Sequence, residues 1–536
     1  MSDRNHRALR SFAATIASAV SVALIVACNT PTDVDTPAAP CLDAAKDCPA
    51  PANACQIAVC EAQTCAVQDV TSGTGACVTC ASDSECAKPA TCSSDNVCVC
   101  SKPCPAWNKA FINGLGSGLA TNADGSVVMV GGITHSVDLG GGPLSEQFAI
   151  DAFAAKYDAE GKHLWSQSFG MGGNNDAYTV AADSAANVIL GGKFSEAINF
   201  GAETLTSAGL YDAFIAKFDP SGKHLWSKRF GDSTHEDVLT TTADKDGNIV
   251  LSGTFRGMVN FGGADMFANC GAQGDLYVVK LDPQGNHLWS KSFCTSGVVK
   301  SRGAGIDGQG NIFLAGELDG AVDFGGGELA ADIGDAFVVK FAPSGDHLWS
   351  SKFGTSSAQG AQGASGIVVD KNGDAFVLGY FGGGLDLGGI TLTASEGVDV
   401  VVVKLKGADG KPVWAKGFGK DNNQFSQSLA IDSGGNVVVS VQFEGSIDFG
   451  GGTFSTPTGG GTVNHGAIAK LSGVDGSHIY SKHLEGFNVG GLVVASDPSD
   501  NTFVTGGFGG PVDFGLGPIM TSDPSGGGFF LVKFQP

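Results

Sequence analysis

Charge is scarce in this chain. Only 16% of its 536 residues are charged, with 31 basic side chains against 54 acidic ones and a formal net charge of −23. No stripe of Lys and Arg occurs outside the N-terminus, which excludes the electrostatic footprint that a phosphate backbone demands. Nucleic acid is therefore not an expected partner. With hydrophobic content at 42%, the low charge also excludes disorder, which needs low hydrophobicity and dense charge. The acidic balance reads as a surface that keeps an exported protein soluble. After residue 105 no long helical periodicity appears. Also missing are a Gly-x-Ser-x-Gly elbow, a His-Glu-x-x-His pair and a phosphate loop. No catalytic residue, metal or cofactor is assigned.

What the chain has in excess is glycine, 81 residues, about twice the usual share. Glycine reaches turn conformations closed to other residues, so this composition suits many short strands joined by tight turns.

The N-terminus is basic at Arg4, Arg7 and Arg10 and then apolar over "SFAATIASAVSVALIVA" (11–27), the pattern of a secretory signal. A single membrane helix is the rival reading, but the run is shorter than the ~20 residues a span usually needs. It ends in Ile25-Val26-Ala27-Cys28, which resembles the bacterial lipobox. That resemblance implies cleavage after residue 27, lipidation of Cys28 and attachment to a membrane of the bacterial cell envelope, at the outer membrane, surface or periplasmic face. Residues 29–40 form a polar, proline-bearing tether.

Of the 15 cysteines, twelve fall between Cys41 and Cys104, and two more are Cys270 and Cys294. Setting Cys28 aside leaves an even number, which in an exported chain reads as disulfides. Residues 41–104 carry little aliphatic core, so covalent staples must substitute for it. Zinc is the alternative, prompted by Cys77 and Cys80, although no histidine lies in the segment. Its spacing resembles the cysteine-rich stalks of bacterial surface lipoproteins. Cys270 and Cys294 share one repeat unit, and a disulfide clipping that unit is expected.

From residue 105 the chain repeats itself. An anchoring aromatic recurs at Trp107, Trp165, Trp226, Trp289, Trp349, Trp414 and Tyr480, roughly sixty residues apart, the signature of a repeat architecture. Each unit reads as four strands. The first is the apolar run after a turn, as in "ADKDGNIVLSGTF" (243–255). The second ends in a signature such as "VDLG" (137–140) or "INFG" (198–201). The third is "DAFIAKF" (212–218) or a relative, and the fourth carries the Trp. Seven such units imply an all-β, seven-bladed β-propeller of four-stranded antiparallel blades. The region opens on a lone fourth strand (105–114) and closes on a lone third strand (527–536). The N-terminal strand should therefore complete the last blade and close the ring, removing exposed sheet edges. Expected divisions are thus a signal peptide (1–27), a lipidated cysteine and linker (28–40), a disulfide-rich stalk (41–104) and the propeller (105–536).

The repeated residues have structural readings. A Trp per unit fills the wedge between neighbouring sheets. His163, His224, His287, His347 and His478 precede the aromatic by two; on outer strands of different blades they are too far apart to share a metal. Lys156, Lys217, Lys280, Lys340, Lys404, Lys470 and Lys533 lie on the third strands, with Asp151, Asp212, Asp275, Asp335 and Asp399 five residues earlier in five units. Residues five apart on a strand face opposite ways, so each Lys is expected to reach an acid on the neighbouring blade; a lysine-lined anion pocket is the alternative. "DKDGN" and "DKNGD" lack the full set of calcium ligands and read as Asx-turns.

With "DAFVVKF" (335–341), "HLWS" (347–350) and "VDFGG" (322–326), residues 105–536 resemble the seven-bladed propeller repeat of bacterial secreted proteins. That resemblance implies a fold and an extracellular setting, and no single activity. "AKFDPSGKHLW" (216–226) also resembles the tryptophan-docking motif of quinoprotein propellers, with Ala216, Gly222 and Trp226 in register. Those proteins have eight shorter blades, and their dehydrogenases often carry adjacent cysteines, absent here. The expected protein is a monomeric, envelope-anchored lipoprotein whose propeller loops bind a protein or polysaccharide without catalysis. The alternatives are a propeller enzyme acting on carbohydrate in the central channel and a quinoprotein-like oxidoreductase.

Overall fold

A computed structural model describes residues 102–145, 149–269, 274–354, 362–456, 464–520 and 527–536, with the backbone of four short strands at 56–61, 64–69, 91–92 and 98–99. The expected signal segment, Cys28 and the tether lie outside the described residues, as does Cys270. The chain divides into two compact units, Met1–Ser101 and Lys102–Pro536. In the first, Gln56–Glu61 pairs antiparallel with Thr64–Asp69, and Thr91–Cys92 with Cys98–Val99.

The second unit is an all-β, seven-bladed propeller. In blade 2 the strands, from the axis outward, are Asn175–Ala182, Val188–Phe194, Asp212–Phe218 and His224–Phe230. The middle two are buried on both faces, which is why they read as continuous apolar runs. The inner and outer strands are only half-buried. The last blade combines Gly490–Ser496, Thr502–Phe508 and Gly528–Gln535 with Cys104–Ile112 from the start of the propeller. Closure by the N-terminal strand is as expected.

The strand assignment within each unit needs correction. The run after the turn is the second strand. The innermost strand precedes that turn, and sequence reading missed it because it is built from small and polar residues, as in "GLGSGLAT" and "TTTA". The "VDLG" and "INFG" signatures form two-stranded ribbons beside the four-stranded sheets, such as Ala197–Asn199 with Thr204–Thr206. In blades 4 and 5 the ribbon continues the two middle strands, Ile312–Asp323 with Glu328–Phe341 and Ala375–Asp386 with Thr391–Leu405. Each ribbon turn is tied by its own Asp or Asn: Asp138 Oδ1 accepts the backbone N–H groups of Gly140 and Gly142, and Asn199 Oδ1 accepts that of Gly201.

The ribbons seal the wedges between blades. Phe200 on the blade 2 ribbon lies 5.1 Å from Phe169 of blade 1 and 5.0 Å from Phe214 of its own blade. All three belong to one buried cluster spanning both blades. Each such ring contributes roughly 2–3 kcal/mol through burial, so the core is a ring of inter-blade contacts.

Candidate functional site

The repeated aromatics clasp one blade to the next. Trp165 Nε1 donates to the Pro220 carbonyl at 3.1 Å, in the hairpin between the third and fourth strands of the next blade. Trp226 reaches Pro283, Trp289 reaches Pro343, and Trp349 reaches Gly407 at 3.0–3.1 Å. The indole also packs on the hairpin glycine. Gly222 has φ +85°, and a Cβ there would lie 2.7 Å from the Trp165 ring. Tyr480 breaks the pattern where the acceptor is missing, because the third and fourth strands of blade 7 are the two ends of the propeller chain and no hairpin joins them. Its hydroxyl lies 3.1 Å from Thr502 Oγ1 instead.

The lysines complete the clasp, with a partner other than the expected one. Lys217 Nζ lies 2.9 Å from Asp183 Oδ2 in its own blade, and donates to the Pro283 carbonyl of the neighbouring blade at 3.1 Å. The acid opens the turn between the first and second strands. Register decides this: Lys217 pairs with Ile189 on the second strand, beside that turn. Lys280–Asp244, Lys340–Asp307, Lys404–Asp370 and Lys470–Asp432 repeat the pair at 2.7–3.2 Å. Burial pushes the Asp183 carboxyl up, but hydrogen bonds from Lys217 and Asn187 outweigh it and hold the group below its ordinary value. The Asp five residues before each Lys serves elsewhere: Asp212 pairs with Arg229, and Asp335 with Lys352.

The turn acids are Asx-turns. Asp244 Oδ1 accepts the N–H groups of Asp246 and Asn248, and Asn248 Nδ2 donates to Asp244 Oδ2. His163 and its counterparts lie beneath the glycine turns of the ribbons, with His163 Nε2 3.0 Å from Ser166 Oγ. Among the described residues no group of three or more His, Cys, Asp or Glu is placed to hold a metal. Cys294 is disulfide-bonded; Cys270, the partner expected for it, lies outside the described residues.

The seven innermost strands enclose a channel cavity of about 310 Å³. In five of them a β-bulge inserts one extra residue: Ser117, Tyr178, Arg302, Ser365 and Gln427. Bulges re-aim side chains, and all five residues line the channel. The bulge needs a close backbone approach. At Gly192 on the second strand, a Cβ would overlap the Asp176 carbonyl oxygen.

The two ends of the channel differ. The end bearing the strand 1–2 and 3–4 turns repeats the Asp–Lys–Trp clasp. At the other, where the innermost strands begin, each blade carries a different cross-strand pair: Leu115/Gly132, Asp176/Lys193, Asp237/Thr254, Lys300/Glu317, Gly363/Tyr380, Phe425/Gln442 and, in the last blade, Gly490/Gly507. Around blades 2 and 3, Lys193 Nζ sits 4.6 Å from the Tyr211 ring centroid and 5.4 Å from that of Tyr178. Burial pushes the Asp176 carboxyl up there, against the charge of Lys193, and pushes His235 down. Around blades 4 to 6 a cleft of about 470 Å³ opens beside the channel, with Arg302, Glu317, Tyr380, Phe425 and Gln427 in its wall. Sequence reading found none of these residues, because nothing in a single chain marks where a strand will bulge.

No protein-family model matches the chain. It is 22% identical over 469 residues to an uncharacterized WD repeat-containing protein of Acanthamoeba polyphaga mimivirus, covering 69% of this chain and 33% of that one. It is 24% identical over 141 residues to the regulatory protein FlaEY of Caulobacter vibrioides, covering 25% and 15%. The chain thus spans a third or less of these curated relatives. Similar solved structures include the Dos1 propeller, at 7% identity and TM-score 0.39, covering 80% of this chain and 94% of that one. A polysaccharide lyase, ulvan lyase, is 10% identical with TM-score 0.41, covering 74% and 91%. The quinohemoprotein alcohol dehydrogenase of Comamonas testosteroni is 10% identical with TM-score 0.38, covering 80% and 76%. These likenesses are too distant to carry a substrate or a chemistry across.

Proposed function

We propose that this chain is a lipid-anchored protein of the bacterial cell envelope, carried on a disulfide-rich stalk, whose propeller binds a protein or polysaccharide partner without catalysis. The binding face is the channel mouth at which the innermost strands begin. One observation carries this reading: structural residues recur around the opposite end, while the mouth carries a different pair in each blade. Side chains spared from holding the ring together are those free to meet a partner. The viral relative is a WD repeat-containing protein, which supports a repeat scaffold. Cys28 supplies the anchor, and residues 41–104 the stalk.

The test is cross-linking capture of the full-length protein from its native envelope, comparing variants at the two ends of the channel. Leu115→Ala and Phe425→Ala at the mouth should weaken capture of a discrete partner. Lys223→Ala and Gln284→Ala, on exposed hairpins at the opposite end, should not. The reverse pattern would sink the assignment of the face. Cys28→Ser should move the protein from the membrane to the soluble fraction; unchanged fractionation would remove the lipid anchor.

A carbohydrate-active enzyme is the second reading, favoured by the raised Asp176 carboxyl beside the channel. Raised acids suit proton donation. Asp176→Asn would then abolish turnover of a bound glycan while leaving its binding intact.

A further inference from the structure

Within the binding-face reading, on which this inference rests, we infer that the cleft over blades 4 to 6 is a subsite for an uncharged sugar unit. Its volume of about 470 Å³ lies within the range of small-ligand sites, roughly 300–1,000 Å³. Arg302, Ser365 and Gln427 line both the cleft and the channel, so a longer glycan could run from one to the other. All three are bulged residues, which accounts for their meeting in one place although they come from separate blades.

The chemistry of the wall selects the ligand class. Arg302 Nη2 donates to Glu317 Oε2 at 3.1 Å, and the Tyr380 hydroxyl lies 3.4 Å from Glu317 Oε1. The guanidinium is thus already paired with a carboxylate, and that carboxylate repels phosphate, sulfate and uronate groups. What remains is a planar set of guanidinium donors, carboxylate acceptors, a Gln427 amide and a phenol. Sugar hydroxyls both donate and accept, so neighbouring hydroxyls on one ring can satisfy both kinds of group. Phe425 supplies the apolar element. It is 39% exposed, and its negative ring face suits the C–H edge of a pyranose. The cluster at blades 2 and 3 is less open, because Lys193 already lies against both tyrosine rings.

The experiment is saturation-transfer NMR on the full-length protein in detergent, with maltose, cellobiose, lactose and cellobiouronic acid as probes. At least one neutral disaccharide should show transfer and outcompete the uronate. Phe425→Ala and Arg302→Ala should each weaken binding by about tenfold or more, with Lys223→Ala, on an exposed hairpin at the opposite end of the channel, as an unaffected control. Thermal melts verify that each variant is folded. No transfer from any neutral probe, or binding unchanged in both cleft variants, overturns the subsite. If the probes fail while Phe425→Ala still weakens envelope capture, the sugar assignment falls and the binding face stands. If no mouth variant affects capture, the binding-face reading falls as well.

Discussion

Glu236 is a buried acid at the start of the blade 3 inner strand, and replacing it with Gln should remove the pH dependence that this site gives to stability. The side chain is fully buried. It accepts from Thr234 Oγ1 at 2.9 Å and from the Asp232 backbone N–H at 3.2 Å. Burial first, then the nearby Asp232 and Asp212 charges, push its carboxyl from 4.5 up to about 7. A group raised in the fold stabilises fully below its unfolded value, and that contribution is lost as pH climbs to the folded value. The window therefore runs from 4.5 to about 7. The displacement is equivalent to roughly 3 kcal/mol of stability lost across it. Gln cannot ionise, and the site accepts it: Gln362 and Gln424 hold the same register in blades 5 and 6, as Glu236 does opposite Phe255. Glu236→Gln sacrifices an acceptor worth about 1 kcal/mol. The variant should be less stable by about that amount near pH 4, and more stable by about 1–2 kcal/mol near pH 8. Denaturant titrations of both proteins across that range check this. A stability difference that does not change with pH would refute the argument.

Asn122 stands where other blades have the paired turn Asp, its buried Oδ1 meets no donor, and Lys156 holds the same register as Lys217; Asn122→Asp should stabilise by about 1–2 kcal/mol in a denaturant titration at neutral pH, by giving Lys156 the charge-assisted partner its counterparts have. The acids Asp183, Asp244, Asp307 and Asp432 are all held below their ordinary value of 3.8. Their contribution is present above that value and lost as pH falls below it, so circular dichroism should show steep acid unfolding there. Trp165→Phe keeps the ring but loses the donor to Pro220, and should cost about 1–2 kcal/mol by thermal melt. Tyr480→Phe loses only a hydroxyl contact within the last joint and should cost about 1 kcal/mol in the same assay.

The sequence by itself determined the blade count and the closure of the ring. Strands buried on both faces must be apolar wherever no partner meets a charge, so "VILGGKF" and "DAFIAKF" announce themselves in every unit. A lone fourth strand at one end and a lone third at the other can satisfy their backbone groups only together. The innermost strands were illegible because they line a channel and carry small or polar residues with no apolar period. The ribbons were misassigned because an extended signature does not say which sheet it joins. Only the tertiary structure decided the lysine partners, since register between strands places Asp183 rather than Asp212 beside Lys217. It also explained Tyr480, whose hairpin acceptor is absent at the one joint made from the chain ends. The mouth residues were the least legible. Tyr178, Arg302 and Gln427 reach the channel through bulges, and a bulge is set by how two strands fit together rather than by the residue that occupies it.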